Sequence, residues 1–174
     1  MRRLLAVSAL ILGAIATSAS ADQDHMAEHA TGAMGLEIPM PQKADFKTIP
    51  GVPACTTIAG LRGDPAKEAA TLMVRMTSGC VVPYHWHHAT EEVVMLRGTA
   101  VTQMLGGKPY ELKTGSYSQL PSEHVHRMRC ASKEDCYNFV VADRAFDIMF
   151  VDDKGKQIST EEALAAAAKA RKDW

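Results

Sequence analysis

Side chains able to bind a metal ion or move a proton are concentrated in one short stretch near the middle of the chain. Three histidines and two glutamates fall within eight positions: His85, His87, His88, Glu91 and Glu92. The apolar run of residues 93–96 follows directly, and a packed interior tolerates charges only where something neutralises them. Imidazole and carboxylate ligands suit Fe, Mn, Zn, Ni or Cu. The stretch therefore predicts a site for one divalent first-row transition metal.

The alternation of side chains along a strand decides which of these residues can face one point. His85 and His87 share a face of a strand, and Trp86 points the other way. A turn at residues 88–90 then begins a second strand, in which Glu91 faces the histidine pair and Glu92 faces outward. Glu92 is the alternative ligand, because a strand that begins one residue later reverses every side chain. His88 is predicted to lie at the rim.

A further ligand is expected from another strand. His124 and His126 are separated by one residue, so they too share a face, and they follow the turn of residues 121–123. Strand parity alone leaves both open as ligands.

The spacing of the first group resembles the first motif of the cupin superfamily. The residues that occupy its fixed positions are Gly79, His85, His87, Glu91 and Gly98.

The second cupin motif is matched in part. Gly115, Pro121 and His126 stand at the required distances, whereas Glu123 replaces a glycine and Cys130 replaces an asparagine. The departures change the turn position and the asparagine position but keep the histidine. The resemblance thus selects His126 over His124.

The resemblance implies a fold and a set of ligands. It extends over residues 45–152 and is to small, exported, single-domain bacterial cupins, so the implied fold is all-β: a double-stranded β-helix, or jelly-roll barrel. The metal ligands that the resemblance implies in this chain are His85, His87, Glu91 and His126. No residue is assigned a catalytic role, because the sequence offers no separate general base.

The strand pattern supports a β fold independently of the motifs. From residue 71 onward, short strand-like runs alternate with turn glycines, which is typical of an antiparallel sandwich or barrel. Residues 45–70 are predicted to be irregular and to wrap one end of the barrel. One helix is expected near the C-terminus, capped by Ser159 with Glu162 three residues later. It should pack outside the barrel or reach a partner subunit.

The first residues are predicted to be a targeting segment. Residues 1–21 combine an arginine pair, a short apolar run and an Ala-Ser-Ala end, which together are typical of a secretory signal peptide. We expect residues 22–44 to be a flexible leader, 45–152 the barrel and 153–174 a C-terminal helical extension. His25 and His29, in the leader, are expected to belong to a mobile tail. The protein is predicted to be periplasmic or secreted.

Four cysteines in an exported chain predict disulfides, with three possible pairings. Cys130 and Cys136 flank a polar turn, so we expect them to pair, which leaves Cys55 with Cys80. Free thiols and a thiolate metal site are the alternatives, although no Cys-x-x-Cys pair supports the latter.

The charge and the apolar strand faces indicate the partners. A formal net charge of −1 does not indicate a basic surface that would bind nucleic acid or an acidic membrane. Val94 and Leu96 face away from the site yet are apolar, which favours a homodimer. The predicted lining of the pocket is rather apolar: Val93, Met95, Gln103 and Met128.

The sequence thus favours a metal-dependent enzyme that acts on a small molecule. Three imidazoles and one carboxylate leave one or two coordination positions for a substrate. Iron would suit dioxygenase chemistry, whereas zinc or manganese would suit an isomerase or a decarboxylase. The alternative is a non-catalytic module that binds or senses a ligand or a metal, because fold alone does not decide function.

Overall fold

The computed structural model describes residues 45–170, which form ten strands and one helix. The predicted signal peptide and leader, residues 1–44, lie outside the described residues, as do residues 171–174. The elements are β1 (Thr56–Arg62), β2 (Ala70–Met76), β3 (Val81–Trp86), β4 (Glu91–Arg97), β5 (Thr99–Met104), β6 (Pro109–Lys113), β7 (Tyr117–Leu120), β8 (His126–Cys130), β9 (Cys136–Ala142), β10 (Met149–Phe150) and α1 (Thr160–Ala170). The expected all-β fold with a C-terminal helix is confirmed.

The strands form two antiparallel sheets of five strands each. The first has the order β1-β2-β9-β4-β7 and the second has the order β10-β3-β8-β5-β6. Alternate side chains of each strand point inward, where Leu72, Met76 and Met95 are almost completely buried. Met95 and Met128 belong to one apolar cluster with the buried cysteines, where their flexible side chains fill the core.

The expectation that residues 45–70 are irregular is wrong for their central part. β1 lies within this segment and pairs with β2, with a register shift between Gly60 and Arg62. Thr56 and Ile58 are buried on its inner face, and their β-branched side chains favour a strand. The glycines and prolines on either side of β1 conceal this short pattern in the sequence.

The C-terminal helix begins as predicted and packs on the second sheet. The Ser159 hydroxyl accepts a hydrogen bond of 3.1 Å from the Glu162 amide, which satisfies one of the free N–H groups of the first turn. Ala163 and Ala167 are buried where the helix lies against β3. Within residues 45–170, no helix combines the length and the apolar character needed to cross a membrane.

Both expected disulfides are present. Cys55 is bonded to Cys80 and Cys130 is bonded to Cys136, and no free cysteine occurs among residues 45–170. The second bond closes the turn between β8 and β9, and the first joins the residue before β1 to the residue before β3. Cys130 thus serves in a disulfide at the position where the second cupin motif has an asparagine.

The turn between β7 and β8 retains a backbone shape that favours glycine, although it contains none. Glu123 has φ of 61° and is the one non-glycine residue with positive φ within residues 45–170. Its amide donates a 2.8 Å hydrogen bond to the carbonyl of His87, and the Ser122 hydroxyl donates one of 2.8 Å to the carbonyl of His88. These bonds hold the turn between β7 and β8 against the turn between β3 and β4.

The two disulfides are expected to differ in their effect on stability. Cys55–Cys80 spans 25 positions and Cys130–Cys136 spans 6. Because the longer loop loses more freedom in the unfolded chain, replacing the first pair by serine should cost about 3 kcal/mol and replacing the second about 2 kcal/mol. Denaturant unfolding of the two double variants measures both. The reverse order would show that strain or residual unfolded structure outweighs loop length.

Glycine should be preferred to alanine at position 123. Positive φ costs an L residue about 1–2 kcal/mol, and glycine avoids this cost but loses more entropy on folding. We expect the free energy of unfolding of the Glu123→Gly variant to be about 1 kcal/mol higher than that of the Glu123→Ala variant. Both remove the same carboxylate, so the pair isolates the backbone term. Equal stability in urea would contradict the assigned conformation.

Candidate metal centre

Four buried side chains from three strands and one turn meet between the two sheets. His85 on β3 and His126 on β8 are directly paired in the second sheet. Glu91 begins β4 in the first sheet, and His87 lies in the turn that joins β3 to β4. Each side chain is buried, with at most 6% of its residue exposed. The site therefore bridges the two sheets at one end of the interior.

The three imidazoles are close enough to share one ion. Their ligand atoms all lie within 4.8 Å of one another, and this set is His85, His87 and His126. The carboxylate of Glu91 lies beside two of them: its Oε2 is 3.4 Å from Nε2 of His87 and 3.8 Å from Nε2 of His126. The structure thus brings together the four residues that the resemblance selected.

Each imidazole is held in one tautomer by a backbone carbonyl. Nδ1 of His85 donates to the carbonyl of Pro83 at 2.6 Å, and Nδ1 of His126 donates to that of His124 at 2.8 Å. Nδ1 of His87 donates to the carbonyl of Asp147. Because a carbonyl oxygen can only accept, each Nδ1 carries the hydrogen and each Nε2 presents a lone pair.

Burial keeps the imidazoles neutral and opposes ionisation of the carboxyl group. Desolvation lowers the pKa of His85 well below its ordinary value, with further lowering from the neighbouring His126 and His87. It also lowers the pKa of His87 and of His126. Burial raises the pKa of Glu91 to about 7. At neutral pH the imidazoles are therefore uncharged, the state in which they bind metals.

The donor set is of the kind that binds a first-row transition metal. Three Nε2 lone pairs and a carboxylate converge, while every imidazole hydrogen is already used on the backbone. Ligands about 2.1 Å from one ion lie at most about 4.2 Å apart. The Glu91 contacts of 3.4 and 3.8 Å meet that limit, whereas the histidine ligand atoms, which lie up to 4.8 Å apart, would have to move closer together by at least about 0.6 Å.

A cavity of about 80 Å³ adjoins the four side chains. Its wall is largely apolar and includes Val93, Leu120 and Val140, which belong to one core cluster. Phe146 also lines it and packs on the ring of His87, with centroids 4.4 Å apart. A liquid water occupies about 30 Å³, so the space suits a few waters or a small molecule.

The alternative ligands of the sequence analysis point elsewhere. Glu92 and His124 are exposed, in keeping with the outward parity of Glu92 and with the choice of His126. His88 is exposed at the rim, where its amide and its Nδ1 donate to the carboxylate of Asp147 at 3.0 and 2.5 Å. His25 lies outside the described residues, as does His29.

The predicted lining of the pocket is only partly right. Val93 and Met128 line the cavity, but Gln103 does not: its side chain binds Arg127 and the carbonyl of Gly107. Met95 lies in the core outside the cavity. Gln103 follows the inward-facing Thr102 on β5, so strand alternation turns it outward.

Three contributors to the site were not foreseen from sequence. Phe146 and the carbonyl of Asp147 lie in the loop between β9 and β10, where no local pattern marks a contact with His87. Asn138 had a detectable signal, because it shares strand parity with the inward-facing Cys136 and Val140.

Comparison with known structures supports the same fold. The polyketide cyclase RemF from Streptomyces resistomycificus is similar with a TM-score of 0.55 and 18% identity, over 75% of this chain and 99% of that one. A cupin-like protein from Thermotoga maritima is similar with a TM-score of 0.50 and 18% identity, over 64% of this chain and 84% of that one. At these identities the likeness concerns the fold alone.

A third similar structure is larger than the matched region. The DMSP lyase DddQ from Ruegeria pomeroyi DSS-3 has a TM-score of 0.50 and 23% identity, over 57% of this chain. The match covers 56% of the lyase, just over half of its length. No curated protein matches the sequence.

The family model described as Cupin domain matches residues 72–142, from β2 to the end of β9. This range contains all four side chains of the site, and the strands around it have the architecture of the similar cupin structures. Residues 72–142 are therefore a cupin domain.

Proposed function

We propose that the protein binds one divalent first-row transition metal through His85, His87, Glu91 and His126. We further propose that it acts as a metal-dependent enzyme on a small molecule. The supporting observation is the convergence of four buried acceptors, of which three are imidazoles held in the metal-binding tautomer. A burial this complete would be costly without a cation to satisfy these groups.

The surroundings of the site favour catalysis over storage of the metal. A sensor or storage module is expected to close the coordination shell, whereas here a cavity adjoins the four side chains. A bound metal would supply Lewis acidity or redox chemistry at that cavity. The apolar wall and the ring of Phe146 limit the access of water, and the anchored imidazoles fix where a substrate oxygen would be held.

The identity of the metal selects the reaction class. The donor set is compatible with Fe, Mn, Zn, Ni or Cu. Bound iron would favour a dioxygenase, and bound zinc or manganese would favour an isomerase or a decarboxylase. A metal that binds with a saturated coordination shell would instead support the alternative, a non-catalytic module that binds or senses a ligand.

We also propose that the protein works in the periplasm or as a secreted protein. Two disulfides are typical of an oxidising compartment, and they support export through the signal sequence of residues 1–21. In this organisation residues 22–44 are a leader, 45–152 the cupin barrel and 153–174 a helical extension. The N-terminal mass of protein recovered from a periplasmic extract tests cleavage after Ala21.

The outer face of the first sheet supports the proposal of a homodimer. Leu96 is 42% exposed, and Tyr117, which pairs with Val94, is 58% exposed. Val141 on the neighbouring β9 is 36% exposed. An apolar face of this kind is commonly covered by another chain. Sedimentation of the wild type beside a Leu96→Glu variant measures whether a second copy covers it.

Metal content should depend on His126 and not on its neighbour. We expect about one equivalent of a first-row metal in the wild type, strong loss in His126→Ala, and retention in His124→Ala. The His124 variant is a matched control because its backbone carbonyl, which anchors His126, is unchanged. Elemental analysis of the folded proteins gives the result. Equal metal content in the two variants would contradict the proposed ligand set.

Glu91→Gln should stabilise the metal-free protein at alkaline pH. Burial raises the folded pKa of Glu91 to about 7 from an ordinary 4.5, so stability falls as pH rises between these values. Glutamine cannot ionise, so we expect little effect at about pH 5 and up to about 3 kcal/mol of gain at about pH 8. Urea unfolding of the wild type and the variant, in the presence of a chelator, measures the difference in stability at each pH.

The same variant should have the opposite effect once metal is present. With saturating metal the wild type should be the more stable protein, because the ionised carboxylate then has a cation to bind. An equal effect of Glu91→Gln at both pH values, or the same sign with and without metal, would contradict the buried ligand role.

A further inference from the structure

The cavity beside the four proposed ligands is also lined by a polar group that the protein leaves unsatisfied. Asn138 is 2% exposed and lines this cavity. Its Oδ1 is buried and has no hydrogen-bond partner among residues 45–170. Its Nδ2 contacts the sulfur of Met128 at 3.9 Å. A buried amide oxygen without a donor is unfavourable, so its presence calls for an explanation.

The contact with Met128 fixes which end of the amide faces the cavity. A thioether sulfur accepts weakly and cannot donate, so the amide nitrogen is turned toward it. The carbonyl oxygen is then the group left for the cavity. It can only accept, so its missing partner is a donor.

Asn138 lies deeper in the interior than the proposed ligands. On β9 it precedes Ala142, the partner of Glu91, by four positions, which is about 13 Å along a strand. On β8 its contact residue Met128 lies two positions beyond His126, or about 7 Å. The metal donors and the amide therefore occupy different depths of one cavity.

The wall between these two polar regions is apolar. Val93, Leu120 and Val140 line the cavity and form one core cluster. A ligand that satisfies every part of the cavity has an oxygen group for the metal at one end. It has a short hydrocarbon portion in the middle and a hydrogen-bond donor at the other end.

We propose that Asn138 determines substrate specificity by accepting a hydrogen bond from a hydroxyl group of the substrate, remote from the metal-coordinating group. The substrate class is thus a small hydroxylated carboxylate or a similar oxygen chelator with a short carbon chain. This inference rests on the proposed metal function, because the metal holds the other end of the molecule. A site built to bind a hydroxyl discriminates strongly against the analogue that lacks it.

The test uses matched pairs of carboxylates on metal-loaded protein. Each pair consists of an ω-hydroxycarboxylate and the alkyl carboxylate in which a methyl group replaces the hydroxyl, over a series of chain lengths. Dissociation constants are measured by calorimetry for the wild type and for Asn138→Leu. At one chain length the wild type should prefer the hydroxylated probe by about tenfold, and Asn138→Leu should lose or reverse this preference.

Controls separate this role from a structural one. Asn138→Leu should raise the melting temperature of the metal-free protein, because leucine of similar size leaves no unsatisfied acceptor. Thr102→Val removes a buried hydroxyl that does not line the cavity and is bonded to the Arg127 carbonyl at 3.2 Å. That variant should lose stability and keep the probe preference.

Metal content is measured on the same samples so that the two proposals fail separately. Protein without metal after reconstitution would overturn the metal function itself. Metal-loaded wild type that binds neither probe, or that shows the same preference as Asn138→Leu, would overturn the role of Asn138. A lower melting temperature for metal-free Asn138→Leu would also overturn it, since the amide would then be satisfied within the protein.

Discussion

The hydrogen bonds from Nδ1 of the three buried imidazoles to backbone carbonyls are the interactions on which the site depends. Two of the carbonyls, of Pro83 and His124, lie two positions before the histidine that they anchor. The third, of Asp147, comes from the loop before β10. These bonds leave three Nε2 lone pairs directed at one region, with the carboxyl group of Glu91 beside them. This arrangement supports the proposal that one cation is shared among these groups.

Assembly of the site requires the complete barrel, because its parts come from both sheets. His85 and His126 are neighbours in the second sheet, and Glu91 belongs to the first. The bonds from the β7–β8 turn to the carbonyls of His87 and His88 hold the rim together. Burial of Glu91, which raises its pKa to about 7, opposes folding in the absence of metal. Binding and folding are therefore expected to be coupled.

Strand alternation made much of this arrangement predictable. Two-residue periodicity placed His85 with His87 and turned Glu91 inward, and motif spacing chose His126 over His124. The disulfides followed from the turn between β8 and β9. Contacts made by loops were not predictable in this way, because Asp147 is far in sequence from the histidine that it anchors. Gln103 was placed in the pocket wrongly, and β1 was missed, since short segments flanked by turn residues carry too little pattern to fix parity or register.

The most direct measurement is anomalous diffraction from crystals of the protein purified from a periplasmic extract, recorded at the absorption edges of the first-row metals. The proposed metal centre predicts one peak between the sheets, about 2.0–2.2 Å from Nε2 of all three imidazoles and from a carboxylate oxygen of Glu91. It would be contradicted by an empty site in metal-replete crystals, or by a metal bound elsewhere with the three Nε2 atoms hydrogen-bonded to water.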